Sequence, residues 1–288
     1  MAALEGAWPK DAPSRQEFIE KVYSQGKLAY REMPWRNISD AYGVLVSEVM
    51  LQQTQVSRAL GRWERFMKRF PTVESLANAQ MGEVLEEWQG LGYNRRALSL
   101  KRACETCMSD MGGTLPHTAK ELQALPGIGP STAAGVVAFA YNKPAVYLDT
   151  NVRAVFIHEL FPDRDQVKDR ELIPLVEDTC PNTDPRTWYY ALLDYGVVLK
   201  SQGANPSRRS AQYARQSSFQ GSHRQKRAEV LRIVLGNPGI AYDELKARLD
   251  LFEEKSGRGV CTDEEFDSII EDLINEGFFS RDGVYYHA

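Results

Sequence analysis

Two carboxylates stand out because of what surrounds them. Glu48 lies in AYGVLVSEVML, with Val44, Val46, Val49 and Met50 close on either side. Most glutamates are solvated, but a carboxyl held among apolar side chains has its ionised form penalised. Its pKa rises, and it becomes a usable acid near neutral pH. Asp149 lies in VYLDTNVRAV, in an irregular stretch between Pro144 and a helical pattern from Val152 to Leu160. An aspartate there caps the helix that follows, and the same carboxylate is able to do chemistry as well. Ahead of it runs LPGIGPSTAAGVVAFA, Leu125 to Ala140. Gly127 and Gly129 allow a tight turn, Pro130 suits a first helical turn, and Ser131 or Thr132 can cap it. Such a turn directs bare N–H groups outward at a helix N-terminus, which suits a phosphate oxygen. A lone Gly-x-Gly is as often an ordinary connection, so its company has to decide.

That company is SEVMLQQTQV (Ser47 to Val56), GLGYNRRA (Gly90 to Ala97), LPGIGPSTA and LDTNV, in this order. Together they resemble the adenine DNA glycosylase (MutY) family of the helix-hairpin-helix DNA glycosylases, over roughly Trp35 to Leu199. The resemblance implies an all-α fold of two helical subdomains and double-stranded DNA with a mispaired or damaged base as partner. It implies that Glu48 protonates a flipped adenine, that Asp149 meets the sugar as positive charge develops, and that Asn151 orients Asp149. Gln53 and Thr54 would face the base opposite, where a turn plus cap is the plainer reading. Leu91 and Tyr93 would enter the duplex where the target base leaves; a half-buried core tyrosine is the alternative. Gly127, Gly129, Ser131 and Thr132 would grip the backbone, and Arg95 and Arg96 are phosphate candidates or a solvated helix start.

The chain departs from that family in places. Asn94 stands where a second aromatic usually follows the tyrosine. Ser131 occupies the position of the lysine that bifunctional relatives use as an amine nucleophile, and a serine cannot form an imine. The family's four cluster cysteines are missing: Lys200, Ser207, Ser210 and Gln216 fall at their places, and none is a credible iron–sulfur ligand. We therefore expect no [4Fe-4S] cluster and no metal. From Lys200 to Arg227 there are seven basic residues and no acidic one. This segment reads either as a polar linker or as a substitute DNA contact, with Arg208 and Arg209 at its centre. No Nudix-like C-terminal domain is evident in the tail.

Elements must hold these residues in place. Apolar spacing predicts helices over Arg15 to Arg31 and from Asp40 through Val49, then an amphipathic helix through Leu60, Trp63, Phe66, Met67 and Phe70. Residues 122–140 read as the hairpin of a glycosylase domain spanning 1–221. Residues 222–288 read as a small winged-helix-like α+β domain, with helices in AEVLRIVL, YDELKARL and EEFDSIIEDLINEG and a β-hairpin around Asp282-Gly283. The net charge of -4 hides an uneven distribution. Up to Gly221 there are 26 basic and 25 acidic residues, against nine and fourteen from Ser222 onward. The last predicted helix carries Asp263, Glu264, Glu265, Asp267, Glu271 and Asp272, so we expect it to contact protein rather than DNA. Cys104 and Cys107 form a CxxC without a second pair and share an apolar helix face with Leu100, so they read as buried thiols. With no apolar run of ~20 residues and no signal pattern, we expect a monomeric cytoplasmic protein associated with the nucleoid and no membrane partner.

The expected activity is monofunctional: hydrolysis of the N-glycosidic bond of adenine opposite 8-oxoguanine or G. The alternatives are a mismatch glycosylase for U:G, T:G or hypoxanthine, and a non-catalytic DNA-binding regulator.

Overall fold

The computed structural model describes residues 8–203, 205–215 and 218–287. Helix α1 (Arg15–Leu28) starts at a capping box between Ser14 and Glu17 and buries Phe18 and Val22. The chain then runs through Met33, Trp35 and Arg36, all buried, to α2 (Ala41–Leu51). Asp40 caps α2 by accepting from the N–H groups of Tyr42 and Gly43, as the sequence predicts. Short helices α3 (Val56–Ala59), α4 (Arg62–Arg69), α5 (Val73–Ala77) and α6 (Met81–Trp88) lead to the longer α7 (Arg95–Asp110). The second group comprises α8 (Ala119–Leu122), α9 (Pro130–Phe139), α10 (Thr150–Leu160), α11 (Asp169–Thr179) and α12 (Pro185–Ser201). Helix α12 packs on α1 and α10, while α9 packs on α2, α8 and α12, so the two groups meet along α9 and α12. Beyond α12, Pro206–Arg209 form a 3-10 turn against α10.

The amphipathic helix predicted from Leu60 to Phe70 is shorter. Gly61, at φ +72°, breaks it, α4 begins at Arg62, and Leu60 is 42% exposed. The predicted cap of α9 is also corrected. Gly129 is the N-cap and Pro130 the first helical residue, which places Ser131 and Thr132 inside the first turn, too late to cap it.

A buried ion cluster ties the start of the chain to α12. Asp194, 1% exposed, accepts from Arg36 Nη1 at 2.7 Å and Nη2 at 2.9 Å and from Arg31 Nε at 2.6 Å. A carboxylate this deep is tolerable only when paired, so removing either side would strand a buried charge. Helix α12 lies close against α10 at Gly196. A Cβ there would lie 2.5 Å from the carbonyl oxygen of Asn151 and 2.7 Å from its Cβ.

The C-terminal unit consists of α13 (His223–Gly236), β1 (Ile240–Ala241), α14 (Tyr242–Lys255), α15 (Asp263–Glu276), β2 (Ser280–Asp282) and β3 (Tyr285–His287). Its antiparallel sheet has the order β1-β3-β2, with Ile240 opposite Tyr286 and Asp282 opposite Tyr285. Gly283, at φ +59°, turns the expected hairpin. Strand β1 has only two residues, too short to leave an alternating pattern. Leu245, Leu249, Phe266, Ile270 and Tyr286 form the unit's core.

The unit meets the rest of the chain through α7. Glu276, at the end of α15, binds Arg95 and Arg227, and its carbonyl accepts from Arg102 at 3.0 Å. Arg224, Lys226 and Arg227 are thus part of α13, and Lys226 and Arg227 pair with Glu265, Asp272 and Glu276 of the same unit. Cys104 and Cys107 are fully buried on α7, and burial pushes both thiols up. Among the described residues no helix is long and apolar enough to cross a membrane.

Filling the α10–α12 contact should be costly. Gly196→Ala is expected to lower unfolding stability by about 1–3 kcal/mol, as overpacking does. Urea denaturation reads this directly, and an unchanged midpoint would mean that α10 and α12 part without cost.

Candidate active site

Glu48 sits in the middle of α2, on the turn where that helix crosses α9. Gly135 of α9 faces it: a Cβ there would lie 2.3 Å from Oε2 of Glu48 and 3.0 Å from the ring of Tyr147. The missing side chain makes the space the carboxyl occupies. Tyr147 is buried and donates its hydroxyl to Glu48. Burial pushes the Glu48 carboxyl up to about 8; the Asp149 carboxylate adds to the rise and the Tyr147 hydrogen bond opposes it. Below that pH Glu48 holds a proton.

Asp149 is the N-cap of α10. Its Oδ1 accepts from the backbone N–H groups of Asn151 and Val152, both at 2.7 Å, and its Oδ2 from Asn151 Nδ2 at 2.9 Å. Burial lifts this carboxyl above the ordinary range, and the Val152, Asn151 and Lys200 interactions pull it back. Donors aimed at the ionised form, at the positive end of a helix, leave Asp149 the anion of the pair. Lys200 Nζ donates to Asn151 Oδ1 at 2.9 Å. Glu48, Asp149, Asn151 and Ser131 all line one cavity of about 1010 Å³, together with Tyr147 and Lys200. Structure thus brings together the four predicted catalytic positions, with Ser131 exposed at the rim. A proton donor and a stabilised carboxylate in one cleft suit departure of a leaving group from a carbon that becomes cationic.

Two loops flank the mouth, and each carries a non-glycine residue in the left-handed region: Gln53 at φ +53° and Tyr93 at φ +51°. Arg96 ties them together. Its Nη1 donates to the carbonyls of Val49, Met50 and Gln52, and its Nη2 to those of Leu91 and Gly92 and to the Thr54 hydroxyl. Arg96 is therefore an internal clamp and not a phosphate ligand. Gln53 stands exposed, while the Thr54 hydroxyl faces inward to the Leu91 carbonyl at 3.2 Å. Tyr93 is half-buried between the Arg96 and Arg224 guanidinium groups, and its hydroxyl accepts from Arg224 at 2.9 Å.

Three predicted DNA contacts are corrected. Leu91 is 3% exposed and belongs to the core. Thr132 is buried, and its hydroxyl accepts from Gln52 Nε2 at 2.9 Å. Arg209 binds the carbonyls of Ile157, Phe161, Pro162 and Arg164, closing the C-terminal end of α10, where a cation complements the helix dipole. Gly127, Gly129 and Arg208 are exposed as expected. Gly127 takes φ +73° and rests on Ser99, where a Cβ would meet that side chain at 2.4 Å.

The donor set at the cluster positions does not fit iron and sulfide. Lys200 is engaged with Asn151, and the buried Ser207 and Ser210 hydroxyls bond Asn205 and Gln212. Gln216 lies outside the described residues. Sequence reasoning missed Tyr147, Gly135 and Lys200 as parts of the site. Only proximity of Tyr147 to Asp149 in the chain could have pointed to one of them.

The raised Glu48 carboxyl carries a stability signature. The folded state keeps a proton that the unfolded chain loses above its ordinary pKa of 4.5, so stability falls as pH rises from there to about 8. Glu48→Gln removes this dependence. Its melting temperature relative to wild type should therefore climb between about pH 5 and about pH 8. A difference that stays constant with pH would contradict a Glu48 that is protonated at neutral pH.

Comparison with known proteins places this geometry. Residues 46–174 match the family of HhH-GPD superfamily base excision DNA repair proteins. The chain is 37% identical over 173 residues to an adenine DNA glycosylase of Mycolicibacterium smegmatis, covering 59% of each protein. Identity to the adenine DNA glycosylase of Buchnera aphidicola is 30% over 170 residues, 59% of this chain and 48% of that one. For the human adenine DNA glycosylase it is 38% over 142 residues, 46% of this chain and 26% of that one. The chain thus spans about half the length of the first two relatives. Among solved structures, a thermostable thymine-DNA glycosylase shares the fold, with a TM-score of 0.57 at 24% identity over 64% of this chain and 86% of that one. A non-covalent endonuclease III–DNA complex gives 0.54 at 18% identity over 63% and 85%. The match to HhH-GPD superfamily base excision DNA repair proteins thus falls on the segment that carries Glu48, Ser131, Tyr147, Asp149 and Asn151, and the chain is similar to bacterial and human adenine DNA glycosylases.

Proposed function

We propose that the protein is a monofunctional DNA glycosylase of base excision repair that hydrolyses the N-glycosidic bond of a mispaired adenine. The observation that carries this reading is the opposed environment of two carboxyls in one cavity. Burial and the neighbouring Asp149 carboxylate hold Glu48 as an acid, and the α10 N-terminus with Asn151 holds Asp149 as an anion. A base stacked in a duplex is out of reach of both, so the nucleotide is flipped into the cavity. Glu48 gives its proton to the adenine ring, and the base leaves neutral. Asp149 stabilises the oxocarbenium-like sugar, and water completes an abasic site. The exposed Gly127–Ser131 turn offers backbone N–H groups to phosphate, and Tyr93, braced by two guanidinium groups, fills the space the base vacates. Gln53, exposed beside it, faces the opposite strand. The reaction needs no iron–sulfur cluster.

The test is base release from duplexes carrying A opposite 8-oxoguanine, A:G, A:C, U:G, T:G and hypoxanthine. Adenine should be released, preferentially opposite 8-oxoguanine or G. Release of U, T or hypoxanthine alone would replace adenine as substrate, and release of none would leave a DNA-binding regulator. Glu48→Gln and Asp149→Asn should each slow single-turnover release by ~100-fold or more while duplex binding survives. Wild-type rates in either variant would remove that residue from the mechanism. Strand breaks should need added alkali, since Ser131 supplies no amine. A borohydride-trapped protein–DNA adduct would show that one of the lysines acts instead.

A further inference from the structure

Lys200 has no part in the proton transfers above, yet it lines the same cavity from the last turn of α12. It is half-buried, at the position that the resemblance gives to the first cluster cysteine. Its Nζ lies 2.9 Å from Asn151 Oδ1, and Asn151 Nδ2 lies 2.9 Å from Asp149 Oδ2. The three groups form a chain with one polarity: ammonium to amide oxygen, amide N–H to carboxylate.

A carboxamide is nearly symmetric in shape, and its two ends differ only in what they can bond. Turned over, Asn151 would present its oxygen to the Asp149 carboxylate, lone pair against lone pair. An ammonium has donors only, so Lys200 accepts just one orientation of the amide, the one that aims the N–H at Asp149. It also brings a positive charge to within one side chain of the anion the reaction needs. We propose, resting on the glycosylase reading, that Lys200 is a positioning residue: it orients Asn151, and through it keeps Asp149 ionised and aimed at the sugar. Burial lowers the Lys200 ammonium, Asp149 raises it again, and Arg31 opposes it from the chain before α2. The ionised pair sustains itself. The lysine thus belongs to the active site, although its position in the chain lies outside the segment that matches the family model.

Lys200→Met keeps the length of the side chain and removes charge and donor; Lys200→Arg keeps both. Each is compared with wild type in the full-length chain. In single-turnover assays on whichever duplex the wild type cleaves, Lys200→Met should slow base release roughly 10–100-fold, the scale for loss of an orienting partner. Its Kd for a duplex with a cleavage-resistant 2′-fluoro target sugar should stay the same, and Lys200→Arg should recover most of the rate. A second readout needs no activity: carbon-13 NMR titration of the Asp149 carboxyl. Glu48 from α2, Arg153 from α10 and Tyr147 also face this carboxyl and are common to all three proteins. An upward shift of its midpoint in Lys200→Met therefore isolates the lysine. An unchanged midpoint overturns the proposal, as does a loss of rate matched by an equal loss of duplex affinity, which would make Lys200 a phosphate contact. A wild type that releases no base, with the midpoint still displaced by Lys200→Met, removes the glycosylase reading and sustains the coupling.

Discussion

Two carboxyls that line one cavity oppose each other's ionisation, and the rest of this structure decides which one carries the charge. The answer lies in the backbone around each. Glu48 is in the middle of a helix, where nearby N–H groups are committed to carbonyls, and among the described residues it is the Tyr147 hydroxyl that addresses it. Asp149 is at a helix start, where two N–H groups have no other partner. The same residue chemistry is thereby split into an acid and an anion by its position along helices.

Keeping that split requires the helices to stay close, and the close approaches are made by absent side chains. Gly135 lets α9 accept the Glu48 carboxyl, and Gly196 lets α12 lie against Asn151. The Asp194 cluster with Arg31 and Arg36 then fixes the opposite wall, at the cost of burying charge. Helix α12 thus serves the site three times over, through Asp194, Gly196 and Lys200.

The mouth of the cavity follows a different principle. Both of its loops hold residues at positive φ, conformations that persist only when their surroundings enforce them. Arg96 enforces both from one half-buried guanidinium, and a rigid planar fork suits it to collect six acceptors from the end of α2 and the two loops. The C-terminal unit takes part as well: Arg224 holds Tyr93, and Glu276 neutralises Arg95 one turn away. Part of the acidity of that unit is therefore taken up by its own lysines and arginines and by α7.

The chemistry was legible in the sequence because it rests on local patterns. Glu48 within an apolar helix, Asp149 at a helix start and the Gly127–Pro130 turn each follow from a few adjacent residues, as does the Asp40 cap of α2. What could not be read was anything that depends on which side chain meets which across the fold. Leu91, Thr132, Arg96 and Arg209 look like DNA contacts in a string of motif residues, and only packing turns them inward. Lys200 looks like a lost ligand on a basic linker. Asn151 lies 49 residues away in the chain, and only the packing of α12 on α10 brings the two within hydrogen-bond reach. Residue type and spacing determined the reactive groups; the tertiary structure decided their partners, since protonation and orientation are set by neighbours that the chain order does not reveal.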